Sequence, residues 1–303
     1  MRLSCLLCVL PLTACALAEP PATDLELREV VHGYDPSTRE VTIDVDGTLA
    51  AIRRTDAPVP VAGTLAAAGE APKDAAADVV MGADNRTRVS PTTSFPASAR
   101  CRLALEFIDG YTSNGSGHVI GRKYIITAGH VMYSHDHFGW ATKITAFCGQ
   151  DGNTKPFGGT VATYMRTTQG WVDDEDDDVD YGLLTMDSNI GDQTGTFGYA
   201  SLSDDTLDST YAWVAGYPAD KSWGTQWLDG GNVQNYSSDH VFYNIDTYGG
   251  DSGAGVTMHH DDGRYVFAVH TGSGYYWLSY YNQATRITDA RFYQIQGWLA
   301  SGY

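Results

Sequence analysis

The chain is short of positive charge. Its 19 lysines and arginines face 37 aspartates and glutamates, a net charge of −18 over 303 residues. A surface of that sign repels phosphate backbones and anionic lipid headgroups, which argues against nucleic acid or a membrane surface as a partner. Charge of either sign is sparse at 18%, whereas hydrophobic residues make up 43%. Such a chain is not largely disordered and is long enough to bury a sizeable core. Cysteine is scarce too: Cys5, Cys8 and Cys15 sit in the first apolar run, which leaves Cys101 and Cys148. No later stretch is long and apolar enough for a transmembrane helix. The sequence also lacks internal repeats and any nucleotide-binding glycine motif.

What is present begins with an address. Arg2 precedes an apolar run over residues 3–17, too short to span a bilayer, and Ala16-Leu17-Ala18 forms a small-x-small cleavage site before Glu19. Residues 1–18 therefore read as a cleaved signal peptide, and the protein as secreted and extracellular. Leu12-Thr13-Ala14-Cys15 keeps an alternative open, in which Cys15 carries a lipid anchor. Residues 19–78 read as a propeptide and linker. A strand-like run, Val41-Thr42-Ile43-Asp44-Val45, is followed by a stretch from 56 to 78 rich in Ala, Pro and Gly that cannot fold alone. A flexible arm that stays attached is the other reading. In an oxidising compartment the remaining pair, Cys101 and Cys148, is expected to form a disulfide. Closing that loop stabilises by roughly 4 kcal/mol on the chain-entropy model.

From residue 79 onward the texture is all-β. The 33 glycines and the 12% aromatic content suit many turns between short strands. Leu103-Ala104-Leu105-Glu106-Phe107-Ile108, Tyr124-Ile125-Ile126-Thr127 and Tyr265-Val266-Phe267-Ala268-Val269 are typical runs. One helix closes the chain: Thr288 or Asp289 can cap it, Phe292, Ile295, Trp298 and Leu299 share a face, and Gly302 ends it.

Three short strings carry chemistry. They are Thr127-Ala128-Gly129-His130 after an apolar strand, Asp180-Tyr181-Gly182-Leu183-Leu184 leading into another, and Gly249-Gly250-Asp251-Ser252-Gly253 in a glycine-rich turn. A serine hydroxyl attacks well only when a base takes its proton, and a neutral imidazole can do so near pH 7. A buried carboxylate orients that ring and stabilises the imidazolium. Glycines beside the serine let backbone N–H groups converge on a developing oxyanion. Singly, each string has a plain structural reading. Their joint order, His then Asp then Ser, matches chymotrypsin-like proteases rather than subtilisin-like or α/β-hydrolase enzymes.

With these strings the sequence resembles the glutamyl endopeptidases, secreted serine proteases that cut after Glu and, less readily, Asp. The resemblance runs from Val79 to the C-terminus. It also rests on Arg86-Thr87-Arg88-Val89, Gly216-Tyr217-Pro218, Gly224-Thr225-Gln226-Trp227, Asp246-Thr247-Tyr248, Val269-His270-Thr271-Gly272 and Ala284-Thr285-Arg286-Ile287. It implies a chymotrypsin-like pair of antiparallel β-barrels with a C-terminal α-helix. Residues 79–195 would carry His130 and Asp180, and residues 196–303 Ser252 and the helix. It further implies a triad of His130, Asp180 and Ser252, with an oxyanion hole from the N–H groups of Gly250 and Ser252. Thr247, His270 and Ser273 would hold the substrate's acidic side chain, helped by the new amine of Val79. An imidazole N–H and two hydroxyls can donate to a carboxylate without a permanently buried cation. The bond that frees Val79 follows an acid, Asp78, so the enzyme is expected to cut its own linker. Val131 stands where many chymotrypsin-like enzymes have a cysteine.

Three features stay outside this account. Asp173-Asp174-Glu175-Asp176-Asp177-Asp178 reads as a solvated acidic loop, with a calcium site as the sharper option. His130, His135, His137 and Asp136 lack a metalloprotease spacing, so no metal is assigned. The aromatic stretch Tyr275 to Tyr281 reads equally as a wall selecting residues upstream of the cut or as packing on the barrel. The expectation is a secreted, monomeric endopeptidase made as a zymogen, acting on proteins or peptides with acidic residues and needing no cofactor. The alternatives are a chymotrypsin-like protease of other specificity and an inactive protease-like binding protein.

Overall fold

Strands form where β-branched and aromatic residues cluster, and glycine- and aspartate-bearing turns return the chain between them. The computed structural model describes residues 31–35, 40–45, 48–53, 79–261 and 263–302. The expected signal peptide and the Ala/Pro/Gly-rich linker lie outside the described residues. The first strands, β1 (Val31–Asp35), β2 (Glu40–Val45) and β3 (Thr48–Arg53), make an antiparallel meander. β2 covers the strand-like run expected at 41–45. A two-residue strand, β4 (Thr87–Arg88), follows.

The first barrel comprises β5 (Arg100–Glu106), β6 (Thr112–Gly121) and β7 (Tyr124–Thr127). After the turn α1 (Gly129–Met132) and a small hairpin of β8 (Tyr133–Ser134) and β9 (Gly139–Trp140) come β10 (Lys143–Cys148), β11 (Thr160–Thr168), the short helix α2 (Gln169–Asp174) and β12 (Gly182–Met186). The six long strands run antiparallel in the order β10-β5-β6-β7-β12-β11, and β10 closes on β11. Leu103, Val119, Ile125, Ile126, Ile144, Met165, Leu183 and Leu184 fill the interior and are buried. Burying each contributes roughly 1.5–3 kcal/mol. Cys101 lies opposite Cys148 in the β5–β10 register, and the two are disulfide-bonded.

The link to the second barrel holds α3 (Gly191–Thr194), β13 (Gly198–Tyr199) and α4 (Asp204–Leu207). That barrel comprises β14 (Tyr211–Gly216), β15 (Trp227–Tyr236), β16 (His240–Tyr243), β17 (Gly255–His260), β18 (Gly263–Tyr276) and β19 (Ser279–Arg286), closed by β18 on β19. Its core holds Val214, Val241, Tyr243, Val256 and Phe267. The helix α5 (Asp289–Ala300) starts at Thr288, whose hydroxyl accepts from Arg291 N–H. Although it follows the second barrel in sequence, Ile295 and Trp298 pack into the first barrel's core. Trp298 stacks on Tyr181, with ring centroids 5.6 Å apart. β1 lies antiparallel on β11 at residues 165–168, whereas β10 pairs with β11 at 160 and 161.

Candidate active site

The buried strand β7 delivers His130. Thr127 ends the strand, Ala128 stays extended, and α1 turns the chain so that His130 faces β12. Asp180 reaches it from the start of β12. One carboxylate oxygen accepts the His130 backbone N–H at 2.8 Å, and the other lies 2.6 Å from Nδ1. A carboxylate only accepts, so Nδ1 carries the proton, and in the neutral ring Nε2 is the basic nitrogen. Gly129 permits this approach, since a Cβ there would sit 2.9 Å from Asp180 Oδ1 and 2.5 Å from Thr167 Oγ1. Thr167 and Thr168 hold the chain around Asp180 by donating to the carbonyls of Tyr181 and Val179. Asp180 is 2% exposed, so its charge acts with little screening by water.

The second barrel supplies the turn with Ser252. Gly253 packs against Thr127 and Ala128, which sets the serine beside the strand end that carries His130. Ser252 O accepts from Ser116 N–H at 2.8 Å, and the Ser116 hydroxyl donates to Gly250 O. Ser116 thereby ties the turn to the first barrel. Asp251 N–H is taken by Tyr248 O and Gly253 N–H by His270 O. The amides of Gly250 and Ser252 have no acceptor among the described residues. Gly250 has φ +106° and lies against Tyr217 O, where a Cβ would come within 2.6 Å. No side chain fits there.

Thr247, His270 and Ser273 are all buried, and His270 meets this turn through its carbonyl, which accepts from Gly253 N–H. Thr247 Oγ1 has no hydrogen-bond partner among the described residues. His270 Nδ1 lies 2.7 Å from Tyr243 Oη and 3.0 Å from Gln283 O. When the phenol donates to Nδ1, the ring proton is on Nε2. Ser273 Oγ contacts Tyr280 Oη. Val79 joins the group through Asn282, a fully buried residue: Val79 N–H donates to Asn282 Oδ1 at 3.0 Å, and its carbonyl accepts from Asn282 Nδ2 at 2.6 Å and from Thr247 N–H. Asp246 fixes the next residues by accepting from Met81 N–H and Asn85 N–H. Sequence reasoning did not single out Ser116, Tyr243 and Asn282, because nothing local marks them, and it took Tyr280 only as part of the aromatic stretch.

Between the barrels lies a cleft of about 320 Å³ lined by His130, Asp180, Thr271 and Ser273, with Asp136, Asp174, Glu175 and Asp177 on its rim. The acidic run forms the end of α2 and a capped turn. Burial and the neighbouring Asp180 raise the Asp177 carboxyl above its ordinary range. His135 faces Glu175, and His137 pairs with Asp109 at 2.8 Å. Among the described residues no three His, Cys, Asp or Glu side chains are grouped to hold a metal ion. The aromatic stretch divides: Tyr276 and Tyr281 pack on Phe242, whereas Tyr275, Trp277 and Leu278 stand exposed at the hairpin tip.

Comparison with known proteins gives the family of the chain. The trypsin family model matches residues 84–291. A glutamyl endopeptidase of Bacillus licheniformis is 34% identical over 227 residues, covering 73% of this chain and 69% of that protein. A Bacillus subtilis protein named extracellular metalloprotease is 35% identical over 221 residues, covering 72% and 69%. Among solved structures, a Glu endopeptidase in complex with MPD superposes with a TM-score of 0.65 at 26% identity, covering 73% of this chain and all of that one. The protease Anisep from Arthrobacter nicotinovorans, at 15% identity and TM-score 0.54, covers 66% of this chain and 92% of its own and shares the fold. The chain belongs to the trypsin family, as a serine endopeptidase of the glutamyl endopeptidase group.

Proposed function

We propose that this protein is a secreted endopeptidase, made as a zymogen, that cuts after Glu and less readily after Asp through Ser252, His130 and Asp180. One observation carries the reading: the Asp180 carboxylate binds both the backbone N–H and Nδ1 of His130, with the Ser252 turn packed against the same strand end. Ser252 Oγ attacks the scissile carbonyl as His130 Nε2 takes its proton. Asp180 stabilises the imidazolium, and the amides of Gly250 and Ser252 receive the oxyanion, each worth about 3 kcal/mol in the transition state. His130 then protonates the leaving amine, and water, activated by the same imidazole, releases the acyl group. The residues named need no cofactor for these steps.

Acid specificity is supported by Thr247, whose hydroxyl is buried without a partner among the described residues, and by the buried His270 and Ser273. A substrate carboxylate would accept from these groups, the most favourable kind of hydrogen bond for a buried donor. Zymogen activation follows from Val79. Its amide already docks on Asn282 beside Thr247, and cleavage after Asp78 would turn that amide into an ammonium near the same carboxylate. The test is a peptide series differing only at the cleaved residue, run with the wild type and Ser252→Ala. Cleavage after Glu above Asp, far above Ala or Lys, and loss of about 10⁴-fold or more in kcat with Ser252→Ala are expected. Equal cleavage across the series would remove the specificity, and an active Ser252→Ala the mechanism. N-terminal sequencing of secreted Ser252→Ala should show no chain beginning at Val79.

A further inference from the structure

A second cavity, of about 840 Å³, lies where the segment from Val89 to Arg100 crosses from one barrel to the other, against β14, β15 and the ends of β17 and β18. Its walls are apolar and aromatic, with Phe95, Trp213, Leu228 and Met258 among them, and its charged groups are Arg100 and Arg264, beside His259. Among the described residues no aspartate or glutamate lines it. In a chain with 37 acidic residues that combination is unusual. Elsewhere Arg86, Arg122, Arg286 and Arg291 each meet an aspartate at 2.5–2.9 Å.

Arg100 is 5% exposed, its Nε has no hydrogen-bond partner, and NH1 donates to a neutral acceptor, Gln226 Oε1, at 3.3 Å. Burial, with Arg264 adding its like charge, lowers Arg100 to about 10, so it remains cationic at neutral pH. The Arg264 side chain makes no ion pair or hydrogen bond among the described residues. Arg100 lies over the Phe197 ring, 5.9 Å from its centroid, and meets no carboxylate among the described residues; a buried cation without a counter-anion is unfavourable, and an anion delivered to it reduces that penalty.

We propose that this cavity binds a small organic carboxylate with an apolar body, its carboxylate between Arg100 and Arg264 and its tail along Trp213 and Leu228. The volume suits a compact ligand, the guanidinium forks suit a carboxylate, and the walls suit a hydrocarbon or ring. The inference is independent of the cleavage chemistry.

The test uses the full chain in calorimetric titration and thermal melts with octanoate, 1-octanol and sulfate. Octanoate is expected to bind and to raise Tm by about 5 °C near saturation, with octanol and sulfate at least tenfold weaker. Arg264→Gln and Trp213→Ala should each weaken octanoate at least tenfold; Arg264 is bonded to no side chain among the described residues, so its replacement tests the site if Arg100→Gln does not fold. Octanoate should leave the KM for a peptide substrate unchanged. Failure of octanoate to bind overturns the proposal. So does equal binding of sulfate, which would mean an adventitious ion only, or of octanol, which would mean an apolar groove only. Unchanged affinity in Arg264→Gln, or competition with peptide substrate, also overturns it.

Discussion

At the scale of single residues, Thr247 and Ser116 separate binding from positioning. Thr247 Oγ1 is buried and unpartnered in the free protein, so replacing it with the isosteric valine removes a desolvated hydroxyl. Thr247→Val is expected to keep or slightly raise Tm while lowering kcat/KM for Glu peptides about tenfold or more, the loss appearing in KM. A fall in Tm with unchanged KM would make Thr247 a packing residue. Ser116 donates to Gly250 O and accepts from Tyr217 N–H at 3.0 Å. Ser116→Ala should lower kcat about tenfold with KM little changed, because the Gly250 amide loses its alignment. The two residues were unequally legible. Thr247 stands within a motif beside Tyr248 and Gly249, whereas Ser116 is a serine in an Asn-Gly-Ser string whose partners lie more than a hundred residues away. Asn282 is the extreme case, 203 residues from the Val79 it holds. Local strings expose nucleophiles and bases because the chemistry constrains their neighbours; a residue that acts through a distant backbone group leaves no such trace.

Among the elements, α2 and the acidic turn after it were legible as charge but not as a rim. Composition gave an acidic loop; only closure of the first barrel sets Asp174, Glu175 and Asp177 along the cleft with His130. Their fields favour cationic residues flanking the acidic one that is cut. Peptides with Lys beside that residue should be cleaved about tenfold more efficiently than those with Glu there at low salt, the ratio shrinking towards two in 0.5 M salt. Glu175→Gln with Asp174→Asn should narrow the low-salt ratio; an unchanged ratio would remove the rim from specificity. The hairpin of β18 and β19 behaves differently. Its aromatic content was read as wall or packing; Tyr276 and Tyr281 pack on Phe242, while Trp277 and Leu278 form the exposed tip. A period-2 alternation decides which face each residue takes, but not what that face meets. α5 makes the same point, since its apolar stripe foretold a helix and only tertiary packing assigns it to the first barrel.

For the whole molecule, the two barrels are held together by contacts across their junction, and His118 is one clamp between them. It lies in β6 of the first barrel, is 0% exposed, and its Nδ1 accepts from Gly255 N–H of β17 at 3.0 Å. Burial, reinforced by the positive charge of Arg100, holds this imidazole well below its ordinary 6.5, so it is neutral in the fold. The unfolded chain binds a proton at this residue below about pH 6.5 that the folded chain refuses. The contribution is therefore fully present above that pH and is lost as pH falls towards the folded value, at up to about 1.4 kcal/mol per pH unit. In melts between pH 7 and 5 this group should lower Tm by about 3 °C per unit below 6.5. His118→Asn keeps an acceptor near the position of Nδ1 and cannot be protonated there. Its Tm is expected to start lower at pH 7, from the cavity left by the ring, and to fall less steeply on acidification, so that the two curves converge. Parallel curves would mean that protonation of His118 does not load the junction.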